Sequence, residues 1–207
     1  MEQYTELRAE MAHVVLSTTK DVWVWNVDAH VGFTFKSARR LIDDALLDVD
    51  SMSTRWNRML PAKVNVFAWR LLLNRIPTKV NLDRRGIDFG SIRCGICDDD
   101  LETVNHLFFT CDFALALWAK VAKWWELDIP VLSSMSEWVV WIDGVRVRAG
   151  LKKWLEAVCL TMLWTIWLFR NRLLFAATKP QKANIWDSIQ IQSFFWINSR
   201  VSKFNVS

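Results

Sequence analysis

Apolar residues recur at helical spacing through most of this chain, and the breaks between runs carry recognisable start and stop residues. After Pro61, the positions Val64, Phe67, Ala68, Leu71 and Leu72 fall on one stripe, three and four residues apart. That spacing predicts a helix from Pro61 to about Arg75, with proline in the first turn, where its missing N–H goes unused anyway. Ile76-Pro77-Thr78 ends this helix, and Thr78 opens another through Arg85 that Gly86 stops. Beyond a cysteine-bearing loop, Asp112 caps a predicted helix reaching Trp125, with Phe113, Leu117, Val121 and Trp124 in register. Ser134 and Glu137 form a capping box before Trp138-Val-Val-Trp-Ile142. Two long helices, about 151–176 and 183–201, close the chain on either side of Lys179-Pro180. The start reads differently. Val22–Trp25 and Val31–Phe35 flank a short polar turn and predict a small β-hairpin, followed by a helix capped by Ser37 and running to about Leu47.

Composition narrows the class. The chain has 207 residues, with 14 tryptophans but only 6 glycines and 4 prolines. Such a chain can bury a sizeable core as one domain or two small ones. It is too hydrophobic for disorder, too glycine-poor for collagen and too cysteine-poor for a stapled mini-protein. It is also too short for a multi-domain polymerase. Trp154–Phe169 is the one stretch that resembles a membrane span, but it contains Glu156 and falls short of the roughly 20 residues a span needs. A buried helix and no membrane partner are therefore expected. The opening Met-Glu-Gln-Tyr-Thr-Glu lacks the basic and apolar regions of a secretory leader, so an intracellular, reducing setting in nucleus or cytoplasm is expected, with free thiols.

Charge is arranged in blocks around a net +4. Acidic residues dominate 1–54 and 94–150, and basic residues dominate 55–93 and 151–207. The first basic block holds Arg55, Arg58, Lys63, Arg70, Arg75, Lys79, Arg84, Arg85 and Arg93, against Asp83 and Asp88. Such blocks either pair with the acidic ones in the fold, remain as solvated helix faces, or form the footprint of a nucleic-acid surface. Trp56, Phe67 and Trp69 are interleaved with these cations, and exposed aromatics can stack on single-stranded bases. Phe67 belongs to the apolar stripe, which leaves Trp56 as the better candidate for exposure.

The sharpest local pattern is Cys94-x2-Cys97-x8-His106-x4-Cys111. Two thiols two residues apart can clasp a metal from one tight turn, and an imidazole with a third thiol can complete a tetrahedron. Thiolates favour zinc over magnesium or calcium, and a closed set of four ligands favours structure over catalysis. Two other readings stand beside one structural Zn2+: a redox dithiol at Cys94–Cys97, and a metal-free set of core cysteines. Asp98, Asp99 and Asp100 follow the dithiol and are expected to raise its thiol pKa, against the redox reading. Cys159 lies alone in an apolar run and reads as core. His13 and His30 have no ligand-type neighbours and read as ordinary residues. The expected fold is mainly α, with the small hairpin, a zinc-stapled loop and a helical bundle. Its expected segments are a lead-in over 1–54, a zinc-binding domain over 55–126, and a C-terminal helical region over 127–207 packed on it.

Several spaced motifs together resemble a known family. Pro61-Ala-Lys-Val-Asn-Val-Phe-Ala-Trp-Arg-Leu71 and Arg75-Ile-Pro-Thr-Lys-Val-Asn-Leu-Asp-Arg-Arg-Gly86 are followed by the cysteine pair, Glu102-Thr-Val-Asn-His106-Leu-Phe-Phe-Thr-Cys111, and Ala116-Leu-Trp118. This series is similar to the plant reverse-transcriptase zinc-binding domain, found after the polymerase region of LINE-type (non-LTR) retrotransposon polyproteins. Asp21-x3-Trp25 with Gly32-Phe33 and Lys36–Arg39 resembles its lead-in, and Trp164-x2-Trp167-x2-Arg170-Asn171 with Phe175 resembles the segment that follows it. The resemblance implies a non-catalytic accessory domain with Cys94, Cys97, His106 and Cys111 as zinc ligands. An RNA-directed DNA polymerase needs clustered carboxylates for two metal ions. The adjacent pair Asp43-Asp44 instead falls within a predicted helix, and residues 151–207 contribute only Glu156 and Asp187 toward a ribonuclease-H-like set. No enzyme activity is expected of this chain. Its expected partner is nucleic acid, RNA or DNA, with a reverse transcriptase domain as a further one. The alternatives are a structural or protein-interaction scaffold and a decayed retroelement remnant without activity.

Overall fold

Local capping chemistry and one long apolar helix organise the chain. The computed structural model describes residues 5, 8, 9, 11, 12, 20, 25, 32–46 and 55–204. The chain divides into two compact units, Met1–Ser53 and Thr54–Ser207.

In the first unit, helix α1 spans Phe35–Leu46. Thr34 caps it: its hydroxyl accepts from the Ser37 N–H at 3.1 Å, while the Ser37 hydroxyl accepts from the Thr34 N–H at 3.2 Å. Thr34 is thus the capping residue and Ser37 its partner three residues on, one register earlier than Ser37 itself as cap. The expected N-terminal hairpin is not supported. Phe35, placed at the end of its second strand, opens a helix, and there is no named strand among the described residues. Gly32 at φ 71 and the Thr34–Ser37 cap turn the backbone out of the extended region just where the alternating pattern suggested a strand. Most of the rest of that pattern lies outside the described residues, as do His13 and His30. Trp25, Phe33 and Phe35 instead meet edge to face, with centroids 5.0 and 5.7 Å apart.

The second unit is helical. Helix α2 covers Ala62–Leu72, α3 Lys79–Asp83, α4 Asp112–Trp125, α5 Met135–Gly144, α6 Ala149–Phe175 and α7 Ile185–Phe204. Helix α6 is the axis: α2, α4, α7 and the turn at 106–110 all pack on it. By length and composition it could cross a bilayer, yet 61% of its most apolar window is buried inside this unit. Its hydroxyls Thr161 and Thr165 donate back to the carbonyls four residues earlier, at 2.7 and 2.8 Å, so burial leaves neither unpaired. The α2 stripe meets this axis through Phe67, whose ring contacts Phe108, Trp164 and Trp167. Asn74 at φ 51 ends α2 in the left-handed region, and the Thr78 hydroxyl caps α3 by accepting from the Asn81 N–H.

Two sequence assignments shift in detail. Cys111, not Asp112, occupies the cap position of α4. Trp124 is exposed, while Ala114, Leu117, Trp118 and Val121 form the buried face. The Trp118 indole N–H, donating to the Phe108 carbonyl at 2.9 Å, turns that face toward the metal loop.

Candidate metal centre

The four sequence-predicted donors come together. The reactive atoms of Cys94, Cys97, His106 and Cys111 all lie within 4.8 Å of one another. The first two sit on a tight knuckle. Arg93 and Leu101 form an antiparallel bridge, the Cys94 N–H donates to the Asp100 carbonyl at 2.7 Å, and the Asp98 N–H returns to the Cys94 carbonyl at 2.9 Å. Closing so short a turn takes a left-handed residue, and Asp98 supplies it at φ 60. The Arg93 guanidinium binds the Asp98 and Asp99 carbonyls at 3.2 and 3.1 Å and holds the turn shut.

The other two donors sit on a π-helical turn, His106–Thr110, with the Cys111 N–H donating to the His106 carbonyl at 2.8 Å. In a regular α-helix, residues five apart diverge by roughly 140° around the axis. The wider i→i+5 turn stacks Cys111 over His106, so the spacing His106-x4-Cys111 is workable because the backbone widens there. His106 Nε2 lies 3.2 Å from Cys97 Sγ, while Nδ1 faces Thr110 Oγ1 and Asp100 Oδ2, each at 3.4 Å. The imidazole therefore offers Nε2 to the cluster, and a carboxylate behind it can orient the ring.

Electrostatics favour thiolate at this position. Cys94 is pulled down to about 5, chiefly because the Cys111 thiol donates a hydrogen bond to it, with backbone N–H groups of Cys97 and Ile96 adding to the effect. Cys111, which keeps that proton, is held above the ordinary thiol value. The expected rise of the Cys94 pKa is not found: the hydrogen bond from Cys111 and the local N–H donors outweigh burial, the one influence that raises it. Cys159 contrasts with the cluster: burial pushes its thiol up to about 12, as befits an inert core residue.

These four residues could hold a metal ion. Donors around a tetrahedral ion with bonds of about 2.0–2.3 Å lie roughly 3.5–3.8 Å apart, and the spread here is compatible with that after small adjustments. Cys94 and Cys111 are fully buried, with His106 at 7% exposure. Among the described residues this is the one cluster of its kind.

Residues 33–118 match the family described as zinc-binding in reverse transcriptase. All four donors fall inside that match. No curated protein and no solved structure matched the chain. The matched stretch ends at Trp118, but side chains beyond it hold the cysteine loop.

Glu102 is the clearest of these connections and was missed as a functional residue from sequence. Its side chain is fully buried. Oε1 accepts from the Lys79 N–H at 2.9 Å and from Arg170 Nε at 3.0 Å, with Arg170 Nη2 closer still, while Oε2 accepts from the Gly95 N–H at 3.3 Å. One carboxylate so joins the start of α3, the cysteine knuckle and the core helix α6. Arg170 is only 2% exposed and lies over the Trp167 ring at 5.0 Å.

The nine cations of 55–93 divide into two groups. Arg55 is committed inside the protein, paired with Asp143 at 2.8 Å and Glu156 at 2.9 Å. Lys79 Nζ donates to the Arg93 carbonyl at 2.8 Å, and Arg93 itself braces the knuckle. Arg58, Lys63, Arg70, Arg75, Arg84 and Arg85 are exposed and form no ion pair among the described residues. Of the interleaved aromatics, Phe67 is core, and Trp56 and Trp69 are 55% and 39% exposed.

Proposed function

We propose that this chain is a non-catalytic accessory module in which one structural zinc, held by Cys94, Cys97, His106 and Cys111, organises a nucleic-acid-binding surface. The observation that carries the reading is the convergence of four zinc-type donors, from the cysteine knuckle and the π turn, directly after a block of exposed, unpaired cations. Three sulfurs and one nitrogen suit zinc, and a closed set leaves no position for substrate or activated water. The zinc supplies fold stability, because metal binding by a loop that is loose without it is folding free energy. The match to the zinc-binding region of reverse transcriptase supports the metal assignment. The motif series supports an origin in the tail of a plant LINE-type retrotransposon polyprotein.

The binding surface consists of Arg58, Lys63, Arg70, Arg75, Arg84 and Arg85, whose guanidinium and ammonium groups neutralise phosphates and release counterions. Filter binding to single-stranded nucleic acid across salt concentrations tests it. Five contacts would give a log–log slope of roughly −0.7 per contact, and a flat response rejects the reading.

A second reading, a protein-interaction scaffold docking on a reverse transcriptase domain, has one observation in its favour. Ile191, Phe194 and Phe195 on the outer side of α7 are 67%, 70% and 66% exposed. Under that reading, charge reversal at Arg84 and Arg85 leaves function untouched.

A further inference from the structure

Helix α2 is apolar on both sides, which a surface helix has no reason to be unless its outer side meets something. Its inner side is buried through Val64, Phe67, Ala68 and Leu71. Its outer side carries Val66, Trp69 and Leu73, exposed by 45%, 39% and 37%. Positions 66, 69, 70 and 73 are helical neighbours, so these apolar groups share one strip with the exposed Arg70. Among the described residues the Trp69 indole has no aromatic or cationic partner, unlike Trp124, which leans edge-on against Trp125 and Trp186.

The surroundings of this strip are positive. Arg70 Nη2 donates to the Arg75 carbonyl at 3.3 Å, which folds the Arg75 corner back beside the end of the helix. The Asn81 side chain donates to the Asn74 carbonyl and side-chain oxygen, both at 3.0 Å, and sets α3 against the same corner. Arg84, the C-cap of α3, and Arg85 just beyond it follow within four residues of Asn81, and both are exposed. Neither acid of the segment, Asp83 or Asp88, forms an ion pair with them among the described residues. An apolar protein partner would leave these charges unmatched, and a duplex would offer phosphates but no base face to the indole.

We propose that Trp69 is a base-stacking platform, flanked by Arg70 and fed by the guanidinium groups of Arg75, Arg84 and Arg85, and that the occupant is single-stranded nucleic acid. This rests on the nucleic-acid reading above and specifies its ligand. The cations track the backbone, while the indole face and the Val66 and Leu73 side chains cover one or two unstacked bases. Trp69 is carried on a regular helix whose other side is locked in the core, so little side-chain order is lost on binding.

The test uses the zinc-loaded full chain and two probes, a labelled oligo(dT) single strand and a labelled mixed-sequence duplex, read by fluorescence anisotropy. Trp69→Ala is expected to weaken single-strand binding roughly tenfold to a hundredfold, with duplex binding and the salt slope unchanged. Trp69→Phe restores most of the loss, which a merely structural role would not predict, and circular dichroism confirms each variant is folded. Equal single-strand affinity for Trp69→Ala and wild type, or an equal loss on both probes, overturns the proposal. Arg84→Glu/Arg85→Glu separates the layers. If it weakens binding while Trp69→Ala does not, only the stacking platform fails; if it too has no effect on either probe, the nucleic-acid reading fails with it.

Discussion

Replacing Arg170 with methionine should destabilise the second unit far more than an ordinary charge removal. The substitution keeps an apolar stem beside Trp167 but removes the guanidinium from the fully buried Glu102. Breaking a buried ion pair from one side typically costs about 3–5 kcal/mol, because the remaining charge stays out of water without its partner. Two backbone donors, from Lys79 and Gly95, still face the Glu102 carboxylate, so the lower end, about 3 kcal/mol, applies here. Against a usual domain stability of about 5–15 kcal/mol, that is a large fraction. Urea unfolding of the zinc-loaded chain measures it, with an unchanged m value showing that stability rather than compactness has moved. Glu102→Gln/Arg170→Met removes both charges together and should recover much of the loss, a coupling that a double-mutant cycle isolates. Because Gly95 belongs to the cysteine knuckle, Arg170→Met should also speed zinc transfer to a chromogenic chelator. Arg170→Met within about 0.5 kcal/mol of wild type, a value ordinary for surface changes, would refute the reasoning.

Other consequences are as direct. Chelation should open Gly86–Cys111 to limited proteolysis while most helical ellipticity persists, since the long helices lie outside that loop; equal protease resistance with and without chelator would contradict this. Arg84→Glu/Arg85→Glu should make the log–log salt slope of single-strand binding less negative by roughly 0.7 per lost contact, and an unaltered slope would speak for the scaffold reading. The Asp143 carboxyl is held below its ordinary value of 3.8, first by the hydrogen bond from Arg55. Its folded pKa is depressed, so its contribution is complete above the ordinary carboxylate range and fades as pH falls through the lowered value. Asp143→Asn should therefore destabilise the unit slightly at neutral pH, by less than about 1 kcal/mol given the exposure of the pair, read as a small drop in Tm that closes in acid. A gap that widens in acid would reverse the assignment.

The parts legible in sequence were those written in neighbouring residues. Helices α2 to α7 follow from apolar spacing, with Pro61, Thr78, Gly86 and Ser134 marking their ends through chemistry confined to a single turn. The donors Cys94, Cys97, His106 and Cys111 were legible for the same reason, as ligand types at workable spacings. Long-range pairings were not. Glu102 and Arg170 are 68 positions apart, and nothing near either residue names the other. Arg55 read as a phosphate contact because its partners, Asp143 and Glu156, lie in helices that only the fold brings to it. The hairpin is not supported where the described residues reach it, because the alternating pattern that suggested its second strand runs into Phe35, the first residue of α1. The Thr34–Ser37 cap was present in the same letters and decides for helix. The π turn had a faint signal, since an x4 gap puts His106 and Cys111 out of register on an α-helix, so a shared site required a wider turn.

The account rests on four side chains gathering around one zinc ion, and elemental analysis of the purified chain, without added metal, tests that most directly. One zinc per chain, lost in Cys111→Ser, is the predicted result. A fully folded chain that carries no zinc, or one whose zinc survives loss of Cys111, would contradict it.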